Sequence, residues 1–541
     1  MCWAISPRSA AIALLALLGA PPLRAQETPA VESRLPLALL TRPAELREGI
    51  GRAHDAVTTR SKDAQAFYDQ GLAYSHSHIW TEAARSFHQA LRLDPTLAMA
   101  HVGLSYAYGA LEAPNEAGAE LTRARALLAG PAGGPAHDRR HLELRALQLA
   151  AEETGDVAAV AAYRNALDTA LQEFPADAEL WLLRGLAQAP DPRDRGEGSV
   201  ATSIGFFERA LALAPEDAAA RHYLVHACEN AGCQADALTH AAAYAMAAPA
   251  VAHARHLHGH ALRRAGRMEE ATAAFELSDR LGAAFLLREQ VPPEYAGDYD
   301  HNLYMLASIY RYRGRLADAE RLLATAFAWP TRSARQTLAK GAWPEFLVAR
   351  GRPLEAEAAA RVLLGHATPL GRAVGQVATG YAWLAAGEVR PAVEAANAAL
   401  REFAAAPSDA AALVALALET LQGELLMRSG QREQGRAILD EVARRVRELP
   451  GPDAWAPSLF ALEALARGAR EVEDWDFAGF MARQLIAHDP RYGGAHYALA
   501  LVAEHNGDEA AARAAFAMAE QSWAGADSDL PELAAIRRRG R

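Results

Sequence analysis

Cysteine is nearly missing: the 541 residues contain three. Cys2 precedes the one N-terminal apolar stretch instead of following it, which speaks against a lipoprotein. The other two, Cys228 and Cys233, flank a turn at Gly232. They are read either as a disulfide or as two small buried thiols. There is no CxxCH, so covalent haem attachment is not indicated. Aromatics make up only 7% and β-branched residues are sparse, while alanine and leucine dominate, the composition of a helical protein. No block of lysines occurs and the formal net charge is −11, which argues against nucleic acid or an anionic membrane as the main partner. Arg537, Arg538 and Arg539 read as a solvated end. The sequence also lacks HExxH, GxSxG, P-loop and GxGxxG motifs, so any chemistry must come from another constellation.

No apolar run reaches the roughly 20 residues that span a membrane. Residues 10–20 (AAIALLALLGA) are shorter, follow Arg8, and precede Pro21-Pro22 and the small residue Ala25. That pattern predicts a signal peptide over residues 1–25, export to the periplasm or beyond, and no membrane span after cleavage. Loss of Arg8 and Arg24, with no acid, would take the charge from −11 to −13. Residues 26–60 form a proline-containing leader without clear periodicity.

From there a 34-residue ruler applies. Counting from Ala64, small or apolar residues fall at positions 4 (Phe67), 8 (Gly71), 11 (Tyr74), 20 (Ala83), 24 (Phe87) and 27 (Ala90), with Pro95 at 32. Small residues there let two helices of a hairpin approach closely, and aromatics fill the gaps between hairpins. The ruler recurs from Ala178, Ala218, Ala252, Asp300, Ala373 and Gly493. It is interrupted by a Pro/Gly/Asp-rich insertion (PDPRDRGEG) and by another around Val291-Pro292-Pro293. This is the signature of tetratricopeptide (TPR) repeats, and it predicts an all-α, right-handed α-solenoid of helix-turn-helix units. One array is expected over residues 61–330, with a histidine-rich groove, and a degenerate one over 331–541.

The stretches AVTTRSKDAQAFYDQGL, EAARSFHQALRLDPTLAMAHVGLSYA, HYLVHACE, HARHLHGHALRRAG and DHNLYML, together a little over half the chain, resemble a group of bacterial exported TPR proteins. These are largely uncharacterised and carry HYxxHxxE, HxxHxxxH and HN motifs. The resemblance implies the fold and brings no established activity.

Placed on the ruler, His222, His226 and Glu229 occupy positions 5, 9 and 12 of one unit. His253, His256 and His260 occupy positions 2, 5 and 9 of the next, and His301 occupies position 2 of the unit from Asp300. Positions 2, 5, 9 and 12 form one stripe of the first helix, on the concave side of the solenoid. Nine such positions hold six histidines, where the chain-wide frequency of 19 in 541 predicts fewer than one. Imidazoles and a carboxylate on facing helices suit a transition metal, namely copper, zinc or iron. Seven candidates exceed one coordination sphere, which calls for two ions or for some members in a supporting role. Whether such a centre would handle metal or do metal-dependent chemistry stays open. The same stripe also admits a second reading, a non-catalytic scaffold whose groove, helped by Arg263, docks a peptide or protein partner, and a third, a packed polar groove. His258, at a position normally held by a core leucine, is expected to be buried. His76 and His78 are read as surface residues of the first turn, and His54, His101, His496 and His505 as isolated.

Overall fold

The computed structural model describes residues 36–130, 134–405, 408–449 and 451–539, without the side chains of 408–413 and 452. The expected signal peptide and the first part of the leader lie outside the described residues. Pro36–Arg541 form one compact unit. After a short helix, α1 (Leu37–Leu40), the chain runs as antiparallel helical hairpins: α2/α3 (Lys62–Ser75, Trp80–Leu93), α4/α5 (Ala98–Ala110, Pro114–Leu128) and α6/α7 (Ala136–Thr154, Val157–Glu173). Then come α8/α9 (Ala178–Leu186, Ile204–Leu213), α10/α11 (Ala218–Ala231, Gln234–Ala247), α12/α13 (Ala252–Arg264, Met268–Glu289) and α14/α15 (Gly297–Tyr312, Leu316–Ala328). Further hairpins continue to the C-terminus, and none of the described residues forms a named β-strand. No helix among them is long and apolar enough to cross a membrane. The fold is an all-α solenoid of TPR-type repeats.

Local chemistry sets the period. Ser61, Asp177 and Asp217 cap α2, α8 and α10 with side-chain oxygens. Gly232, Gly266 and Gly314 turn the chain at φ between 72° and 86°, a region open to glycine at little cost. Gly71 and Gly103 lie against the Phe87 ring so closely that an added Cβ would stand 2.4 and 2.5 Å from it. Gly259 meets Phe275 in the same way at 2.9 Å. Phe87, Phe207 and Phe275 are fully buried, each contributing about 1.5–3 kcal/mol from burial. The insertion near Val291 is partly helical: α13 runs on to Glu289, Gln290 turns at φ 50°, and α14 already starts at Gly297.

The hairpins curl until distant repeats meet. The Tyr223 hydroxyl lies 2.8 Å from His76 Nδ1, and Tyr244 donates to Ser77 Oγ at 2.9 Å, joining α10/α11 to the first turn. C-terminal repeats return onto α12–α14: Tyr312 packs on Tyr492 and Trp455, and Arg263 lies over Trp455 at 4.6 Å. The histidine stripe is therefore covered instead of lining an open groove. His76 and His78, read as surface residues, are buried because α10 closes over their turn. His258, expected inside, is half-exposed, since Ala254, Leu257 and Ala261 carry the core stripe of α12. Cys228 and Cys233 are free thiols.

Candidate metal centre

The first helices of three successive hairpins, α10, α12 and α14, carry the imidazoles. His222 and His226, four residues apart on α10, approach Nε2 to Nε2 at 3.1 Å. His256 and His260 repeat this on α12 at 3.0 Å. Position 2 of the following hairpin completes each group. His253 stands against His222 with ring centroids 4.8 Å apart, and His301 stands against His256 at 4.9 Å. The same three-imidazole arrangement thus appears twice, displaced by one repeat.

Two triads are compact enough to hold an ion. In His78–His222–His253 and in His256–His260–His301, one ligand atom per residue lies within 4.8 Å of the others. Ligands on an ion at 2.0–2.1 Å stand roughly 3–3.4 Å apart, so the 3.0 Å contact of His253 Nε2 with His222 Nε2 is a ligand-like spacing. His226 lies beside the first triad through His222. Glu229 belongs to neither triad. Its buried carboxylate faces the charges of Arg264 and Arg263, and burial raises its pKa to about 7.

Neighbouring oxygens fix which nitrogen is offered. His222 Nδ1 donates to the carbonyl of His76 at 2.6 Å, and His256 Nδ1 donates to Asn302 Oδ1 at 2.9 Å, leaving both Nε2 lone pairs directed into the triads. His78 Nε2 donates to the carbonyl of Arg195 at 3.0 Å, so its Nδ1 is the free ligand atom. Burial, reinforced by neighbouring imidazoles, holds the pKa values of His222, His253 and His260 well below the usual histidine value. Burial likewise takes His226 to about 4 and His256 to about 3. These rings are neutral at pH 7, the state a metal requires.

Carboxylates flank both triads. Asp298 Oδ2 lies 3.9 Å from His78 Nδ1 and 3.8 Å from His253 Nδ1. Asp453 reaches His301 Nε2 at 3.3 Å and His260 Nε2 at 3.5 Å. Glu197 groups with His78 and Asp298, and Arg335 ties Glu197 to Asp453 through contacts of 2.7 and 3.1 Å. A cavity of about 320 Å³ reaches His78, His253 and Asp298, walled by Tyr74, Trp80 and Tyr295. Two of the three imidazoles of the first triad thus line this cavity, while His222 is fully buried behind them.

His78, Asp298, Glu197 and Asp453 were not picked from the sequence. Glu197 sits in the Pro/Gly/Asp-rich insertion, and Asp298 follows the insertion near Val291. Repeat interruptions beside histidine-bearing units were the available signal. His78 had another: it is position 15 of its unit, where Gly232, Gly266 and Gly314 stand in theirs. It keeps their left-handed backbone at φ 58°. Glu112 and Glu473 do the same with exposed side chains, whereas His78 is buried among imidazoles.

Fold and site together define a helical-repeat solenoid with a histidine centre at the junctions of three successive hairpins. No family model matches the chain, and no curated protein does. Among solved structures it is similar to human IFIT1, solved as a dimer with PPP-AAAA. That match has 14% identity over 78% of this chain and 90% of that chain, with a TM-score of 0.39. It is also similar to the APC/C hetero-tetramer Cut9–Hcn1, at 13% identity over 89% of this chain and 78% of that chain, with a TM-score of 0.36.

Proposed function

We propose that this protein binds two transition-metal ions, one per imidazole triad, and that the first ion serves metal-dependent chemistry on a small molecule entering through the adjoining cavity. The observation carrying this reading is the pair of imidazole triads, the first of which takes His78 from the first hairpin, with the Nδ1–H groups of His222 and His256 tied to oxygens and their Nε2 atoms turned inward. Asp298 and Asp453 supply a carboxylate beside each triad. Nitrogen-rich sets of this kind suit zinc, copper or iron. An ion at the first triad would supply Lewis acidity or an activated water, while Asp298 stands where it can accept or hold a proton. Docking of a peptide along the stripe is less well supported, because the His76–His78 turn and the Asp453 loop cover it.

Metal content of protein purified without chelator or His-tag tests the proposal. Two equivalents of zinc, copper or iron at the triads are expected, and a His222→Ala/His256→Ala variant of unchanged helicity should lose them. Failure to bind any of these ions after loading at neutral pH would return the groove to the peptide reading. Export is proposed on the N-terminal pattern. Sequencing the protein from its native host should begin at or near Gln26, and an intact Met1 in the cytoplasm would overturn it.

A further inference from the structure

A separate cluster lies away from the triads, where the leader meets the third and fourth hairpins. His137 and His141 are four residues apart at the start of α6 and so share one helix face, their ring centroids 4.5 Å apart. Asp177, the N-cap of α8, uses Oδ1 to accept from the Leu180 amide at 3.1 Å. Its Oδ2 lies 3.0 Å from His137 Nε2 and 2.9 Å from His141 Nε2. Asp55 comes from the leader, with Oδ1 3.4 Å from His137 Nε2. Asp138 Oδ1 lies 3.3 Å from His137 Nδ1 and can accept its proton, which would leave Nε2, the atom facing the two aspartates, as the one offered to an ion.

Three observations distinguish this cluster from an ordinary ion-pair network. One carboxylate oxygen, Asp177 Oδ2, converges on two imidazole nitrogens. Asp55 is 8% exposed, and its Oδ2 is buried with no hydrogen-bond partner. Three carboxylates with little side-chain exposure surround two imidazoles, so even with both rings protonated one negative charge is left unmatched. Three of the spacings between the candidate atoms, 2.9, 3.0 and 3.4 Å, match those of ligands held on one ion at 2.0–2.2 Å.

We infer that Asp55, His137, His141 and Asp177 form a further, structural zinc site. Asp55, His137 and His141 bring one ligand atom each within 4.8 Å of one another, and Asp177 Oδ2, 3.0 and 2.9 Å from the two imidazoles, would supply the fourth of a tetrahedral set. Magnesium and calcium, which favour all-oxygen shells, fit it less well. The site clips the leader to α6 and α8. From Asp55 the leader continues back to Arg52, paired by a backbone bridge with Asp217, and to Gly49, whose carbonyl accepts from the Ala250 amide. Zinc here would hold the strap that runs beside the helices carrying the triads.

The test uses the full chain, stripped of metal, titrated with zinc alone and desalted before elemental analysis. The wild type should bind one more equivalent than His137→Ala/His141→Ala. His222→Ala/His256→Ala should keep that equivalent, so the outcome is independent of the triads. Zinc should also slow tryptic cleavage at Arg47, Arg52 and Arg60 in the wild type and in the triad variant, and not in His137→Ala/His141→Ala. If that variant loses helicity, Asp55→Asn, which alters no helix, serves in its place with the same expectation. Equal zinc counts in folded wild type and variant, or leader protection indifferent to zinc, would overturn the inference.

Discussion

His222 donates its Nδ1–H to the carbonyl of His76 across 2.6 Å, joining a buried helix to a turn 146 positions earlier in the sequence. The contact does two things at once. It satisfies a backbone oxygen at the turn of the first hairpin, and it sets the tautomer of a candidate ligand. On α12 the same role falls to a side chain, Asn302, at the equivalent histidine.

Because that acceptor is a side chain, it can be removed. Asn302→Leu should weaken the His256–His260–His301 site by about 10–100-fold, the usual effect of losing an outer partner of a metal ligand. Affinity at the His78 triad should be unchanged. Competition against a chelator, with helicity followed by circular dichroism, separates the two sites. Equal weakening of both would mean that Asn302 acts through general destabilisation.

His78 offers a backbone test. Its φ of 58° is comfortable for glycine and strained for most residues. His78→Gly and His78→Ala delete the same ring, its hydrogen bond to Arg195 and its stacking on Trp80. They differ mainly in the Cβ, so the glycine variant should be more stable by about 1 kcal/mol in denaturant melts. Both should lose the first ion.

Packing against Phe275 links fold to site. An alanine at Gly259 would press on the ring at 2.9 Å, and that ring stands edge-on to His256 and His260 at 5.3 and 5.5 Å. Gly259→Ala should cost roughly 1–3 kcal/mol and also lower metal affinity at the second triad. Gly71→Ala, pressing on Phe87 at 2.4 Å, should destabilise without that effect. Thermal melts and metal titrations of the two variants make the comparison.

The repeat ruler made the solenoid legible because one helix period and one turn residue recur, and Gly232, Gly266 and Gly314 all adopt the turn that their position implies. The six stripe histidines were legible for the same reason. What was hidden is whatever the curl of the solenoid brings in. His78 belongs to a hairpin far away in sequence, and Asp298, Glu197 and Asp453 sit in or beside irregular segments that no period predicts. Likewise Asp55 and Asp177 come from outside α6, so only the four-residue spacing of His137 and His141 was legible. Glu229 shows the converse, a residue in register with the stripe whose side chain lies outside both triads.

The last prediction concerns Glu289, which ends α13 and fastens the leader to the first hairpin. Its carboxylate receives Arg47 Nη2 at 3.0 Å, Arg85 Nη1 at 2.7 Å and Arg288 Nε at 2.8 Å. Burial pushes its pKa up, but the hydrogen bonds and charges of these arginines outweigh burial and leave it below the ordinary glutamate value. A carboxylate with a folded pKa below its unfolded one adds stability above the unfolded value, and that stability fades as pH falls through the folded value. Glu82, also paired with Arg85, is shifted upward by burial and works in the opposite direction. The measurement must therefore be a difference. Glu289→Gln should be less stable than the wild type by about 1–3 kcal/mol at pH 7. The gap should close as pH drops below about 4.5. Denaturant melts of the pair across pH 3–7 read this directly. A gap that persists unchanged to the acid end would show that Glu289 stabilises through packing and not through its charge.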